Sequence, residues 1–76
     1  MENLVKLCEV RENQEVVLCE VEGVEIKKAK RLIELGFVKQ AKIYLLKKTK
    51  GLILVGIRGS YIAIDEEIAK GIKVFK

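Results

Sequence analysis

The second half of the chain is a succession of short aliphatic segments separated by glycine-containing turns, which limits the folds available to it. The segments are rich in β-branched residues, as is typical of strands in a sheet. The predicted strands run from Ala41 to Lys47, from Leu52 to Arg58 and from Tyr61 to Ile64. Gly51 ends a loose hairpin connection between the first two, and Gly59-Ser60 predicts a type II′ hairpin between the last two.

Further strands are predicted on both sides of these segments. The β-branched run from Val16 to Val21 predicts a strand. The turn-forming Asn13 separates that strand from an apolar segment between Leu4 and Val10, which fits either a short helix or a strand. The stretch from Asp65 through Lys70 predicts a single helical turn capped by the aspartate, and the residues from Ile72 onward alternate again as a closing strand.

The residues from Val24 to Leu35 follow the 3.6-residue period of an amphipathic helix. Gly36 stands where a residue of left-handed conformation would end that helix. We expect one apolar stripe of the helix to face the core, consisting of Ile26, Ala29, Leu32 and Ile33. The opposite arc carries four charged residues, namely Lys27, Lys30, Arg31 and Glu34.

These elements predict a mainly β protein with about five short strands, one inserted α-helix and one short C-terminal helical turn. That arrangement is typical of a small, strongly bent antiparallel barrel, and an open sheet is the alternative. Closure is favoured because an exposed edge made of Leu52 to Val55 would invite aggregation. The 76 residues suffice for a single domain, residues 1–76, whose core is near the lower limit that burial alone can stabilise.

Charge and cysteine content leave several binding functions open. The 15 basic and 11 acidic residues give a formal net charge of +4, which suits solubility, an anionic surface or an acidic protein. Because Cys8 and Cys19 are the two cysteines and histidine is absent, no private zinc site and no cofactor is expected. A disulfide fits the cysteine count, but in a reducing compartment we expect both thiols to act as packing residues.

No segment of the sequence approaches the roughly 18 apolar residues that a membrane span requires. The amino terminus carries Glu2 and has no long apolar segment, which argues against a secretory signal. The expected location is therefore cytoplasmic.

The sequence contains no recognisable catalytic constellation. Without histidine, acid–base or nucleophilic chemistry would have to use cysteine, lysine, tyrosine or carboxylates, and no nucleophile has an identifiable base partner. We therefore expect a binding module and not an enzyme.

Three stretches of the chain resemble the FeoA family of small cytosolic proteins linked to bacterial ferrous iron uptake. Arg31 to Phe37, RLIELGF, matches the family pattern RLxELGh, in which h is apolar. The Gly59 hairpin followed by Ile62-Ala63-Ile64 matches GxxIALR, with Asp65 where the family often has arginine. The stretch from Glu67 to Val74 matches the family's closing pattern eeAxxIxV.

The resemblance implies an SH3-like barrel with an inserted helix, in accord with the order of strands predicted above. It also implies an accessory role, since FeoA-like proteins are thought to act at the cytosolic side of FeoB, a membrane permease with a GTPase domain. There they promote or regulate Fe(II) import. The implied partner is therefore a FeoB-like permease.

The chain departs from the family mainly in its turns. Where the family usually has Pro-Gly after the helix, this chain has Lys39-Gln40, and it has Asn13-Gln14 near a second such site. Neither lysine nor glutamine enters the left-handed region as easily as glycine, so we expect a type I turn after the helix instead of a type II turn. The loop between the middle strands is the short, basic sequence KKTKG.

The end of the helix and the loop after it form the predicted partner-binding surface. Leu35 falls off the predicted buried stripe and would be an exposed apolar anchor within a charged rim. The alternative is that Leu35 and Phe37 pack against the barrel mouth while the charges are only solvated. The predicted surface consists of Lys27, Lys30, Arg31, Glu34, Leu35, Phe37 and Val38.

Two other binding functions fit parts of the sequence. A nucleic-acid module would use the basic loop Lys47 to Lys50, but Tyr44 and Tyr61 alone could stack on bases, so no nucleic acid is expected. A metal-responsive regulatory barrel would need cysteine and carboxylates to converge, such as Cys19 with Glu20 or Glu22, and the chain lacks a helix-turn-helix portion. Weak self-association through an unpaired strand edge is also compatible with the predicted fold.

Overall fold

The structure is a computed structural model that describes residues 3–76 as one antiparallel sheet with three helical elements. In chain order the elements are β1 (Leu4–Lys6), a 3₁₀ helix (Leu7–Glu9), β2 (Gln14–Val21), α1 (Ile26–Glu34), β3 (Lys42–Thr49), β4 (Leu52–Ile57), β5 (Ser60–Asp65), α2 (Glu66–Ala69) and β6 (Ile72–Phe75). Hydrogen-bonded neighbours follow the order β1-β6-β2-β3-β4-β5. The molecule measures 29 × 29 × 22 Å along its principal axes.

Two irregularities in the ladder help the sheet to roll. The register of β2 against β6 shifts between Leu18 and Glu20, and the register of β3 against β4 shifts between Leu45 and Lys47. Such bulges bend a strand and increase its twist. Within residues 3–76 the ladder does not join β1 to β5, but the 3₁₀ helix after β1 contacts α2 after β5. These two short helical elements therefore close the gap between the sheet edges.

The core consists of aliphatic side chains that alternate along the strands, with one aromatic ring. In β3, Ile43 and Leu45 are buried while Lys42 and Tyr44 lie outside, and β4 repeats this alternation. Burying one such aliphatic side chain fully contributes about 1.5–3 kcal/mol. The buried residues form one cluster: Leu7, Val10, Val16, Leu18, Leu32, Phe37, Ile43, Leu45, Ile53, Val55, Ile57, Ile64, Ala69, Ile72 and Val74.

This architecture confirms the predicted mainly β fold with an inserted helix and a short C-terminal helical turn. The apolar segment near the amino terminus forms both a strand and a 3₁₀ helix, and β1 brings the number of strands to six. The aliphatic run Leu52 to Val55 is no edge, because β4 lies between β3 and β5. The edge strand at this end of the sheet is β5.

The end of α1 follows the Schellman arrangement, in which a left-handed residue reverses the chain after the last helical turn. Gly36 has a φ of 109° and its N–H donates to the Ile33 carbonyl oxygen at 3.0 Å. The Phe37 N–H donates to the Leu32 carbonyl oxygen at 2.9 Å. The predicted helix stop at Gly36 is confirmed, and Phe37 enters the core directly after it.

The predicted core-facing stripe of the helix is wrong for two of its four members. Leu32 is buried and Ala29 is half-buried, but Ile26 is 78% exposed and Ile33 is 56% exposed. The Schellman contact holds Leu32 beside Phe37 in the core, and Leu35 packs against the same cluster. At 3.6 residues per turn, Ile33 and Ile26 lie about 100° and about 120° from Leu32 on the side away from Leu35.

The hairpin between β4 and β5 differs by one residue from the prediction. Ile57 pairs with Ser60, so the two loop residues are Arg58 and Gly59, with φ values of 52° and 78°. Positive φ at both loop residues is the signature of a type I′ turn, whose twist matches that of the flanking strands. The predicted type II′ turn at Gly59-Ser60 is therefore wrong.

Asp65 stands at the amino-terminal cap position of α2, as predicted, but its side chain makes no capping hydrogen bond. The first free N–H of the helix, that of Glu66, instead donates to the Gly51 carbonyl oxygen at 3.1 Å. A backbone group from the β3–β4 hairpin thus replaces the predicted side-chain cap.

The turn at Lys39-Gln40 also contradicts the prediction of type I geometry. Gln40 has a φ of 69°, and the Ala41 N–H donates to the Val38 carbonyl oxygen at 3.0 Å, as in a type II turn. The Gln40 N–H donates to the Leu18 carbonyl oxygen at 2.8 Å, and the Leu18 N–H donates to the Ala41 carbonyl oxygen at 2.8 Å. These bonds to β2 hold the glutamine in a conformation that costs an L-residue about 1–2 kcal/mol.

We expect Gln40→Gly to raise the free energy of unfolding by about 0.5–1 kcal/mol. Glycine removes the left-handed strain, and its greater freedom in the unfolded chain offsets part of the gain. Chemical denaturation of both proteins measures the difference. A destabilised Gln40→Gly variant would show that the Gln40 side chain contributes more than its backbone strain costs.

Gly71 and Gly56 offer a matched pair of glycine-to-alanine substitutions. A Cβ at position 71 would collide with the carbonyl oxygen of Glu22 and lie 2.9 Å from Val24 Cγ2, whereas one at position 56 would lie in ordinary contact, 3.7 Å from the Tyr61 ring. Neither glycine has a positive φ. Both substitutions therefore lower the conformational entropy of the unfolded chain by a similar amount. We expect Gly71→Ala to lower the free energy of unfolding by about 1–3 kcal/mol relative to Gly56→Ala. Equal stability of the two variants would contradict the close approach of the segment after β2, at Glu22 and Val24, to residue 71.

Candidate functional site

A groove lies between α1 and the edge strand β5 and is closed at one end by α2. Its volume is ≈ 620 Å³, within the range of about 300–1,000 Å³ that is usual for ligand pockets. Of the α1 residues that line it, Leu32 is buried in the core, whereas Lys27, Lys28 and Arg31 are exposed. We call this feature the α1–β5 groove. Its apolar floor is formed by Leu32, Leu35, Ile62, Ile64 and Ile68.

One wall of the α1–β5 groove is basic. Lys27, Lys28 and Arg31 line the groove from α1, and all three are exposed. In the part of the chain that the structure describes, none of them forms an ion pair; the two ion pairs found there join Lys70 to Glu67 at 3.2 Å and Lys73 to Glu22 at 3.4 Å. The wall thus presents three positive charges, none of which is held in an ion pair within the described residues.

The opposite wall is formed by β5. Tyr61 is 76% exposed, and Ala63 and Asp65 are exposed as well. Asp65 is the one carboxylate that lines the groove. The groove therefore combines an apolar floor, a basic wall and the free side of an edge strand.

The structure brings together only part of the predicted partner-binding surface. Lys27, Arg31 and Leu35 line the α1–β5 groove, and Leu35 is half-buried instead of freely exposed. Lys30 and Glu34 are exposed on the solvent side of α1, about 160° from Leu32 around the helix axis. The surface is thus divided between the groove and the outer face of the helix.

The two residues after the helix lie elsewhere. Phe37 is 1% exposed and belongs to the core, so its inclusion in a contact surface is wrong; its burial agrees with the alternative that it packs in the barrel. Val38 is exposed on the other side of α1, in a shallow groove of ≈ 350 Å³ that Ile33 and Val21 also line.

Two parts of the α1–β5 groove are absent from the predicted partner-binding surface, namely Lys28 and the whole β5 wall. Lys28 occurs four residues before Leu32 and seven before Leu35, so helical spacing alone places it on the stripe that these leucines share. The predicted strand from Tyr61 to Ile64 contains Tyr61 and Ala63, but its position at a sheet edge follows from the strand pairing and from no local signal.

The residues considered for metal and nucleic-acid binding take structural positions. Cys8 and Cys19 are half-buried free thiols. Among residues 3–76, no group of three or more cysteine, aspartate or glutamate side chains is placed to hold a metal ion. Lys48 of the basic loop is held by two hydrogen bonds of 2.7 Å. Its ammonium donates to the Cys8 carbonyl oxygen, and its backbone N–H donates to a Glu12 carboxylate oxygen.

Outside the groove, the Lys70–Glu67 ion pair changes the pKa of the lysine. The hydrogen bond and the charge of Glu67 raise the pKa of the Lys70 ammonium above its ordinary value. This pair lies on and just after α2, exposed to solvent.

None of the helices in residues 3–76 has the length and apolar character needed to span a membrane.

Solved structures share this fold. The FeoA protein of Chlorobium tepidum gives a TM-score of 0.87 at 27% identity, over 93% of this chain and 69% of that one. Stenotrophomonas maltophilia FeoA gives 0.80 at 27% identity, over 92% and 88% respectively. That protein was solved as a zinc complex and is described as a prokaryotic SH3 domain protein suggested to act as a ferrous iron transport activating factor. The predicted SH3-like barrel is therefore confirmed.

A manganese-dependent transcriptional repressor gives a TM-score of 0.89 at 14% identity, over all of this chain and 43% of the repressor, a likeness of fold alone. Comparison with curated protein sequences found no match. The model of the FeoA domain matches residues 5–76, nearly the full length of the chain. The chain therefore belongs to the FeoA family.

Proposed function

We propose that this protein is a non-catalytic, cytoplasmic accessory component of bacterial ferrous iron uptake that docks on the cytosolic part of a FeoB-type permease. Membership of the FeoA family supports a role in this system. The suggested role of the S. maltophilia protein in activating ferrous iron transport supports it further. The observation that carries the docking proposal is the α1–β5 groove, whose three basic side chains form no ion pair among the described residues.

The α1–β5 groove has the composition of a protein-docking site. Its floor is aliphatic, and Leu35 and Ile68 are half-buried, so a partner would complete their burial. Protein interfaces typically place such an apolar centre inside a polar rim that excludes water. Lys27, Lys28 and Arg31 supply that rim and would attract an acidic surface over a distance of about 10 Å at moderate salt.

The remaining predicted residues take outer positions in this proposal. Lys30 and Glu34 would lie at the margin of the contact, because they face solvent on the far side of α1. Val38 would contribute only if the partner reached around the helix end to the groove beside β2. We therefore propose Lys27, Lys28, Arg31 and Leu35 as the centre of the docking surface.

The lining of the groove supports binding without catalysis. Asp65 is its one carboxylate, and Tyr61 supplies its one hydroxyl, at a margin that is largely exposed to solvent. General acid–base and nucleophilic mechanisms need two such groups held within hydrogen-bond reach of each other and of a substrate. In this proposal the chemistry of transport and GTP hydrolysis belongs to the permease.

Single charge reversals distinguish the groove from the outer face of α1. We expect Arg31→Glu and Lys27→Glu each to weaken binding to the purified cytosolic part of a FeoB permease from the same organism by about tenfold. Each places a negative charge on the basic wall, and tenfold corresponds to about 1.4 kcal/mol. Lys30→Glu should weaken binding less, by about threefold or below. Isothermal titration calorimetry measures the affinities.

Lys47→Glu is the matched control for these reversals, because it makes the same charge change at an exposed position of β3 outside the groove. Thermal unfolding of every variant shows whether the fold is kept. If Arg31→Glu bound the permease fragment as tightly as Lys47→Glu, the basic wall would not be the docking surface.

A further inference from the structure

The backbone of β5 has one side open. Its residues pair with β4 alone, and no strand within residues 3–76 lies on its other side. An unpaired strand edge is a template for pairing with another extended chain unless the protein covers it. Here α1 stands beside the edge but leaves the α1–β5 groove between them.

The hairpin register identifies the backbone groups that face the groove. Ile57 and Ser60 flank the two-residue turn and form a hydrogen-bonded pair, so hydrogen-bonded pairs recur at Ile62 and Ile64. Tyr61 and Ala63 belong to the alternate pairs, and their N–H and C=O groups are directed away from β4. An added strand would bond to Tyr61 and Ala63 and run about 4.8 Å from β5.

We propose that β5 accepts an extended acidic peptide segment of a partner protein as a seventh strand, lying in the α1–β5 groove. Backbone bonds to Tyr61 and Ala63 would supply affinity. Alternate side chains would contact the aliphatic floor, and acidic side chains would reach Lys27, Lys28 and Arg31. This inference rests on the proposed function, because it specifies the kind of segment through which the partner docks.

Charge selects an acidic partner over a second copy of this chain. Pairing of β5 with β5 of another molecule would bring two basic walls together, and each chain carries a net charge of +4. Like charges placed opposite each other disfavour such an interface. An acidic strand would instead neutralise a wall that has no ion-pair partner among residues 3–76.

The probe is an acetylated and amidated peptide of about seven residues that alternates glutamate with valine, a length typical of a strand. Titration into 15N-labelled protein should give one-to-one binding, with amide shift changes confined to β5 and α1. The same peptide with lysine in place of glutamate should bind at least about tenfold more weakly. Absence of binding, or shift changes elsewhere, would overturn the proposal.

N-methylation of the probe in two frames tests the strand pairing directly. In a strand, alternate N–H groups face the same neighbour. Methylating the peptide N–H groups that face β5 should weaken binding at least about tenfold. Methylating the N–H groups that point away from β5 should leave most of the affinity. Equal affinities of the two methylated peptides would show that no strand is added. This comparison leaves the protein unchanged and cannot be confounded by misfolding.

On the protein side, Ala63→Pro removes one outward N–H. Proline is tolerated on an edge strand where the N–H faces solvent. We expect Ala63→Pro to weaken binding of the glutamate–valine peptide at least about tenfold. Ala63→Ser keeps the N–H and should leave the affinity for this peptide nearly unchanged. A dimer in sedimentation experiments that Ala63→Pro dissociates would assign the edge to a second copy and overturn the proposal. Peptide binding without any binding of the permease fragment would instead reject the proposed permease partner and leave the strand pairing in place.

Discussion

The position of α1 depends on the chain reversal at Gly36. The left-handed glycine allows Phe37 to turn into the core while its N–H bonds back to Leu32, so a buried ring and a buried leucine fix the end of the helix. Full burial of two such side chains contributes several kcal/mol, at about 1.5–3 kcal/mol each. The Arg58 side chain packs over Gly36, where a Cβ would lie 2.5 Å from its Cδ. This anchor fixes the end of α1, and Lys27, Lys28 and Arg31 of its earlier turns line the α1–β5 groove.

That placement explains why the α1–β5 groove exists beside an open strand edge. The sheet rolls up through two bulges but is closed by the contact of the 3₁₀ helix with α2 and not by pairing of β1 with β5. One edge, β1, is only three residues long. The other, β5, is six residues long and lies across the groove from three basic side chains of α1, beside an aliphatic floor. The edge strand and the helix that the fold places side by side thus also supply the residues of the proposed docking surface.

Local sequence patterns were sufficient to predict five of the six strands, the helix and its glycine stop, because alternation, helical period and glycine position each depend on near neighbours. They were insufficient for the orientation of the helix. Ile26 and Ile33 have the spacing of a buried stripe, but the burial of Phe37 rotates them away from the core. The same applies to Gln40, whose left-handed backbone is held by distant bonds to Leu18. The composition of the groove likewise depends on which strand ends at the sheet edge, which only the tertiary pairing determines.

Amide hydrogen exchange at Tyr61 and Ala63 tests the central claim most directly, namely that an open edge beside the basic wall is the docking site. In the free protein both amides should exchange rapidly, whereas those of Ile62 and Ile64, which face β4, should be protected. Addition of the cytosolic part of a FeoB permease should slow exchange at Tyr61 and Ala63. Slow exchange of these two amides in the free protein, or no change when the permease fragment binds, would contradict the claim.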